Sequence, residues 1–233
     1  MAFTINIAKV FRLVYHYLKH MIKTKDLIIG RSIYMSKEEK SVQETLILAT
    51  VACIEKQGID GVTIRSIAQE ANVNSAAINY YFGSKDILIE KTLNSTLDNA
   101  AMDFHEELLN ATDLKTLITN FLMYTFEGTI RFPEICKAHF YDAFVKGNYE
   151  GKSIKILNDY FVDIIKKAKE LKEDIDEDKL KLDILQMFSA VAFLALMPEM
   201  FKQFSCIDLK SYEGIKLYVE SLVKTHLKSY LLD

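Results

Sequence analysis

The chain has 233 residues, of which 50% are hydrophobic and 11% aromatic, enough for a sizeable core and for two domains. Its 29 basic and 32 acidic residues give a formal net charge of −3, so the overall charge lends little support to a polyanionic partner. Three cysteines, Cys53, Cys136 and Cys206, are odd in number and dispersed in apolar helical patterns, which indicates reduced core residues of a cytosolic protein rather than a disulfide framework.

Long stretches of 3.6-residue periodicity, with only two prolines and eight glycines, predict an all-α protein. We expect three parts, over residues 1–35, 36–90 and 91–233. The first carries six bases and one acid, the second five and eight, and the third 18 and 23, so their net charges are +5, −3 and −5.

The N-terminal extension over residues 1–35 has the pattern of a basic amphipathic helix. One face is apolar and the other carries bases and a histidine: Ile7, Val10, Phe11, Val14, Leu18 and Met21 against Lys9, Arg12, His16, Lys19 and Lys23. Three interpretations stay open, namely a helix lying on a membrane surface, a segment adding phosphate contacts ahead of the next domain, and upstream sequence translated from an early start before Met35, which we favour. Charges interrupt the apolar runs too early for a secretory signal, and no span of about twenty apolar residues exists, so we expect no stable membrane association.

Two short helices joined by a tight turn are predicted between Thr63 and Leu88. Thr63 is a suitable N-cap, and apolar residues follow it at helical spacing, at Ile64, Ile67 and Ala68. Residues 71–74 break the pattern, because Asn accepts the left-handed conformation that a short interhelical turn needs, while Val73 can fill the angle between the helices.

The second of these helices has a small, polar outer surface. Ile78 and Phe82 can face inward, whereas the outward positions are small or short and polar, namely Ser75, Ala76, Ala77 and Asn79, with Asn74 or Ser75 as the cap. The major groove of DNA admits one α-helix, in which Asn pairs with adenine and an Ala methyl suits the thymine methyl. Further donors suited to phosphate oxygens come from Tyr80, Tyr81 and Lys85. This pattern predicts a helix-turn-helix that reads DNA.

From about Glu44 to Glu90 the sequence resembles the DNA-binding domain of the TetR family of bacterial transcriptional regulators. The matching features are a helix from about Ser41 to Gln57 stopped by Gly58, the pair Asp60-Gly61, and the runs T-x-R-x-I-A-x-x-A-x-V and Y-Y-F-x-S-K. The resemblance implies phosphate contacts at Thr63, Arg65, Tyr80, Tyr81 and Lys85, and a groove-facing set of Asn74, Ser75, Ala76, Ala77 and Asn79.

Two positions depart from the family pattern. Asn72 stands where the family usually has Gly, a mild change because both residues accept a positive φ. Asn79 stands where Tyr is frequent, so a base preference does not carry over from other members.

The resemblance also implies a function for the whole chain. Residues 36–90 would be the DNA-binding domain and residues 91–233 the ligand-binding and dimerisation domain of a cytoplasmic regulator. The usual outcome in the family is repression, relieved when a small molecule releases the protein from a palindromic operator, and activation stays open. Because residues 36–90 are not basic, we expect modest DNA affinity per subunit and therefore a need for dimerisation.

The C-terminal part is predicted to be a bundle of long helices. Ser84 can cap a connecting helix from Asp86 to about Asn110. The further helices are expected at Asp113 to about Thr129, Glu134 to Phe144, Lys152 to Lys172, Glu177 to Phe201 and Ser211 to Leu231.

The last two helices are the predicted dimer interface. The first of them is apolar round most of its circumference, more than one core face requires. Paired across a two-fold axis, the two helices would make a four-helix packing that sets the recognition helices one turn of DNA, about 34 Å, apart. The interface residues we expect are Leu185, Phe188, Ala192, Leu196, Tyr218 and Leu222. A monomer that buries both faces internally is the alternative.

An apolar ligand pocket is expected within the bundle, with His139 or Tyr124 as its polar anchor. The candidate lining is Phe121, Tyr124, Phe126, His139, Phe140, Phe144, Met187 and Phe193. The alternative for each residue is ordinary core, the commoner role of aromatic residues in helical domains. Without cations in this set, a neutral or cationic ligand is favoured over an anion.

The sequence contains no catalytic motif of the GxSxG, HExxH or P-loop type and no Cys/His spacing for a metal, so we expect neither an enzyme nor a cofactor. The alternative to a DNA-binding regulator is a helical adaptor that binds other proteins, favoured by the low charge of residues 36–90.

Overall fold

A computed structural model describes residues 37–230, without the side chains of residues 37–41, 107 and 109. The N-terminal extension over residues 1–35 and the expected helix end at Leu231 lie outside the described residues. The described chain is helical, and no strand occurs in residues 37–230. Its α-helices are α1 (Lys37–Gly61), α2 (Ile64–Ala71), α3 (Ala76–Phe82), α4 (Lys85–Asn110), α5 (Leu114–Arg131), α6 (Pro133–His139), α7 (Tyr141–Lys146), α8 (Lys152–Leu171), α9 (Glu177–Leu196) and α10 (Tyr212–His226). A 3₁₀ turn follows α9 at Pro198–Phe201, and another follows α10 at Lys228–Tyr230.

The first helix is interrupted where the sequence places its stop. Gly58 has φ 71° and ψ 166°, outside the helical region, and glycine adopts such a positive φ without steric cost. Residues 59–61 then form a last helical piece before Thr63 starts α2.

Within the described residues, 45–230 form one compact unit, and its C-terminal part is organised around α5. This helix packs against α4, α8, α9 and α10. It can do so because its apolar positions cover more than one face, with Leu117, Ile118, Phe121, Leu122 and Phe126 all buried. The core therefore lies around α5, with α9 and α10 on it as its main partners.

Three predicted helices are shorter than the sequence pattern indicates. The segment Glu134 to Phe144 is two helices, because the chain leaves helical geometry at Phe140. The helix expected to reach Phe201 ends at Leu196, since Met197 precedes Pro198 and the residue before proline is driven out of the α region. The last helix ends at His226, and a 3₁₀ turn continues the chain to Tyr230.

All three cysteines are free thiols, but their burial agrees only partly with the prediction. Cys53 is buried and Cys136 is half-buried, where burial raises the pKa of its thiol to about 11. Cys206 is exposed, so the prediction that all three lie in the core was wrong for this residue. Its segment follows the early end of α9, which removes it from the apolar helical pattern on which that prediction depended.

The helices of residues 37–230 include none that is long and apolar enough to cross a membrane.

Candidate nucleic-acid interface

The first helix of the motif is fixed at both ends by polar side chains. The Thr63 hydroxyl accepts a hydrogen bond from the Ser66 amide at 3.0 Å, and the Ser66 hydroxyl accepts one from the Thr63 amide at 3.0 Å, which forms a reciprocal capping box. At the other end Asn72 has φ 54° and ψ 44°, the left-handed conformation expected of it. The prediction of Thr63 as N-cap and of the Asn turn is confirmed.

The second helix is anchored by its inward face. Ile78 and Phe82 are buried, as predicted, and the cap is supplied by Asn74, whose Oδ1 accepts a hydrogen bond from the Ala76 amide at 2.8 Å. Ser75, by contrast, makes no side-chain cap bond. Because α3 is held from within, its outer residues keep a fixed orientation.

The predicted groove-facing set is mostly on the surface. Asn74, Ser75, Ala76 and Asn79 are exposed, whereas Ala77 is half-buried beside the inner face. Asn79 therefore stands on an anchored helix among small side chains, the arrangement that lets an amide approach base edges.

The predicted phosphate-contacting set surrounds this helix. Arg65 and Thr63 are exposed, Tyr80 is 75% exposed, and Tyr81 is half-buried with its ring edge-on to Tyr80 at a centroid distance of 4.8 Å. Lys85 is half-buried, and its Nζ donates to the Val62 carbonyl oxygen at 3.0 Å. This bond ties the start of α4 to the start of α2, and it leaves the ammonium two further N–H donors.

Two polar residues that the sequence pattern did not single out adjoin this surface. An open cleft beside α3 is lined by Ile64, Arg65, Ala68, Gln69 and Ser75. Gln69 is four residues after Arg65 on α2, and that spacing could have identified it as a neighbour on the same helix face. Lys91 lies with its Nζ 5.5 Å from the centre of the Phe82 ring, so it adds an exposed cation near the end of α3.

Several acidic residues of this region make contacts within the chain. Glu70 forms an ion pair with Lys56 at 2.5 Å. Glu55 accepts hydrogen bonds from backbone amides of α6, and Asp60 lies close enough to the Tyr141 hydroxyl to raise its pKa. The acids that make residues 36–90 formally negative are therefore partly engaged within the protein.

The helix predicted to carry the dimer interface has an exposed apolar face. Leu182 is 61% exposed, and Leu185 and Phe193 are exposed on the same side of α9. Of the predicted interface residues, only Leu185 is exposed, and the other five are half-buried: Phe188, Ala192, Leu196, Tyr218 and Leu222. Phe188 packs against Phe121 and Phe161 at ring distances of 5.9 and 5.0 Å, which makes it mainly a core residue.

The structure divides the eight predicted ligand-pocket residues among different surroundings. Three are buried in the close-packed core, namely Phe121, Phe126 and Met187. Phe144 is 73% exposed on α7, and Phe193 is exposed on the outer side of α9 together with Leu182 and Leu185. In the single chain these two side chains do not line an enclosed cavity.

The remaining three pocket candidates lie at the contact between α4, α5 and the pair α6–α7. Tyr124 donates its hydroxyl proton to the Ala100 carbonyl at 3.2 Å. His139 Nε2 lies 3.0 Å from Thr96 Oγ1, and Phe140 packs edge-on against Phe144 at 6.4 Å. Burial lowers the pKa of His139 to about 4, so its ring is neutral at physiological pH.

Among residues 37–230 no group of three His, Cys, Asp or Glu side chains is placed to hold a metal ion.

Comparison with known proteins assigns the helix-turn-helix. A family model described as bacterial regulatory proteins of the tetR family matches residues 46–92. The HTH-type transcriptional regulators BetI of Burkholderia thailandensis and of Paraburkholderia phymatum are both 42% identical over 52 residues, which are 22% of this chain and 27% and 26% of those proteins. The match therefore spans about a quarter of the length of these relatives.

Solved structures resemble nearly the whole described chain. FadR from Bacillus halodurans has a TM-score of 0.59 at 14% identity, over 86% of this chain and 100% of its own. FadR from Bacillus subtilis, solved with stearoyl-CoA, has a TM-score of 0.55 at 15% identity, over 78% of this chain and 96% of its own. A TetR-family regulator from Mesorhizobium loti has a TM-score of 0.58 at 12% identity, over 83% of this chain and 98% of its own.

At these low identities the structures establish the fold alone: an N-terminal helix-turn-helix followed by a larger helical bundle. The sequence match over residues 46–92 agrees with the capped, anchored helices that those residues form. Residues 46–92 therefore carry a helix-turn-helix of the type found in bacterial regulatory proteins of the tetR family.

Proposed function

We propose that the chain is a transcriptional regulator that binds a palindromic operator as a homodimer and is released from it by a small molecule. The observation that carries the proposal is the presentation of α3. Its apolar side, Ile78 and Phe82, is buried, while Ser75, Ala76 and Asn79 are exposed. An anchored helix with small outer side chains and one central amide is suited to the major groove.

A titration with the duplex DNA upstream of the gene tests this proposal. We expect saturable binding that weakens as salt is added, since neutralised phosphates supply much of the affinity. A helical adaptor, the alternative function, has no such requirement. Absence of salt-sensitive binding at micromolar protein would therefore favour the adaptor.

Paired substitutions separate positioning contacts from sequence readout. Changing Tyr80 and Lys85 together to Ala should weaken binding to all sequences and reduce the salt dependence, whereas Asn79→Ala should change the preferred sequence. Tyr149 and Lys166 are exposed in the C-terminal part, so their double change to Ala removes the same chemical groups as a matched control. Equal effects of the Tyr80/Lys85 and Asn79 variants on every sequence would show that this division of roles is wrong.

The proposed dimer forms through the apolar face of α9. Leu182, Leu185 and Phe193 leave on that helix an apolar surface that a monomer would expose to water. Residues on the outer side of α10, such as Lys216 and Glu220, are charged and form an ion pair at 3.8 Å. We therefore place the centre of the interface on α9 and its rim on α10.

The proposed ligand contacts His139. The Thr96 hydroxyl donates to the Leu93 carbonyl at 2.9 Å, and we therefore assign the proton between Thr96 and His139 to Nε2. His139 Nδ1 is then an acceptor, and it is buried without a hydrogen-bond partner among the described residues. A neutral ring with a bare acceptor suits a ligand that donates a hydrogen bond and carries no negative charge.

Native mass spectrometry of the purified protein tests for such a ligand. We expect a bound small molecule on the wild-type protein and its loss from His139→Gln, since Gln keeps the bond to Thr96 but lacks the Nδ1 acceptor. Retention of the same mass by both proteins would contradict the assignment of His139.

A further inference from the structure

One helix of the C-terminal bundle begins without a cap of its own. The residue before α6 is Phe132, which offers no side-chain hydrogen bond, and Pro133 occupies the first turn. The first turn of a helix leaves amide donors without intrahelical partners, and these are normally satisfied by a Ser, Thr, Asp or Asn next to them in sequence. In α6 the chain provides none of these.

The missing cap comes from the DNA-binding domain. The Glu55 side chain, on α1, accepts a hydrogen bond from the Ile135 amide at 2.8 Å through Oε1 and a longer one from the Glu134 amide at 3.4 Å through Oε2. Each carboxylate oxygen thus takes one free donor of α6. The side chain of a residue about 80 positions earlier in the chain acts as the N-cap.

The surroundings of this contact hold it in place. Burial raises the pKa of Glu55 and the two amide bonds lower it, while the neighbouring charges are Glu134 and Lys137, which pair with each other at 2.6 Å. Along the same junction, Asp60 lies close enough to Tyr141, at the start of α7, to raise the pKa of its hydroxyl. Two acids of α1 therefore lie beside the starts of two consecutive helices.

The other end of α6 contacts the second helix that leads to the DNA-binding domain. His139, its last residue, is hydrogen-bonded to Thr96 on α4, and α4 begins at Lys85 directly after the motif. The seven residues of α6 are thus fixed to α1 at one end and to α4 at the other. A movement of α6 would therefore act on both α1 and α4, the two helices that join the helix-turn-helix to the bundle.

We propose that Glu55 is the positioning residue that couples the two domains, because its carboxylate caps α6 and so fixes the orientation of the DNA-binding domain relative to the bundle. The consequence for operator binding rests on the proposed function, whereas the cap and the orientation do not. Glu55 itself contacts neither DNA nor ligand in this scheme.

Hydrogen exchange measures the cap directly. In Glu55→Ala the amides in the peptide 133–139 should exchange on the order of tenfold to a hundredfold faster, since a hydrogen bond to a charged acceptor is lost. Glu55→Gln keeps one acceptor oxygen, so its effect should be smaller. Glu70→Gln removes a carboxylate of the same domain that pairs with Lys56 instead, and it should leave this peptide unchanged. Unchanged exchange in Glu55→Ala would overturn the proposal.

A distance measurement tests the coupling itself. Spin labels at Gln69→Cys and Lys166→Cys, both at exposed positions, report the separation of the two domains in a background where the exposed Cys206 is changed to Ser. Dilution with unlabelled protein restricts the signal to one subunit. We expect a broader distance distribution in Glu55→Ala than in the wild type or in Glu70→Gln. Faster exchange with an unchanged distribution would reduce Glu55 to a local cap and would overturn the coupling.

Neither the hydrogen-exchange nor the distance measurement requires DNA. A failure of the proposed function can therefore be distinguished from a failure of the Glu55 proposal. Where the wild type binds an operator, Glu55→Ala should weaken binding to the full palindrome by about tenfold and leave a single half-site unchanged, because only the full site requires two recognition helices in register. Equal losses on both sites would contradict an orienting role. If the Ala variant does not fold, Glu55→Gln provides the same comparisons with smaller expected changes.

Discussion

A buried histidine gives this protein a calculable dependence of stability on pH. His139 lies between α6 and α4, and burial lowers its pKa from 6.5 to about 4. Between these values the unfolded chain takes up a proton that the folded protein does not, so the free energy of unfolding falls as the pH drops from 6.5 to 4. A separation of about 2.5 pH units corresponds to about 3 kcal/mol, of which almost none is lost above pH 7.

The assay is urea unfolding followed by circular dichroism at fixed protein concentration, at several pH values between 7.5 and 4. The perturbation is His139→Gln, which keeps a donor for Thr96 and removes the titrating ring. Relative to this variant, the wild type should lose about 3 kcal/mol across the window. The exposed His105 on α4 provides a control, and His105→Gln should keep the wild-type slope. Parallel curves for wild type and His139→Gln would refute the reasoning, because they would mean that His139 is not desolvated in the folded protein.

Three further substitutions have expected outcomes. Thr63→Ala removes the capping box of α2 and should lower the free energy of unfolding by about 1 kcal/mol, measured by the same denaturation. Gly214→Ala places a Cβ against the Asp208 carbonyl oxygen, so α10 must shift. The free energy of unfolding should fall by about 3 kcal/mol, and an effect near zero would show that the 208–214 turn adapts freely. Leu185→Glu on the apolar face of α9 should convert the proposed dimer to monomers in analytical ultracentrifugation, whereas Val162→Glu, at a similarly exposed apolar position on α8, should not.

The local parts of the DNA-binding domain were predictable because their signals are local. A threonine before an apolar stripe, an Asn in an interhelical turn and an i, i+4 apolar pair each act within a few residues, and the structure has Thr63, Asn72 and the Ile78–Phe82 pair in those roles. The all-α class followed for the same reason, since helical periodicity persists along the described chain.

What sequence reasoning missed depends on distant partners or on backbone breaks that periodicity does not record. The apolar pattern continues through Phe140 and Met197, although the helices end there. The same pattern does not show that Phe144 and Phe193 face solvent, so both were placed in a pocket. Asn74, rather than Ser75, caps α3, a choice between adjacent residues that only backbone geometry decides. Glu55 carried no signal, because its partners are amides about 80 residues away.

The formal net charge of the DNA-binding domain does not show where its acidic side chains lie. A net charge of −3 over residues 36–90 favours the adaptor only if those acids face the same solvent as the DNA. Glu55 and Glu70 instead accept hydrogen bonds or pair within the protein, whereas Arg65 and Lys85 adjoin α3. The repulsion that DNA would meet is therefore weaker than the formal charge indicates. The cations beside α3 are still few, so in the proposed function one subunit neutralises few phosphates, and high affinity would require both subunits on one operator. This requirement makes the orientation of each domain important, since two weak contacts add only when both recognition helices fit their half-sites together.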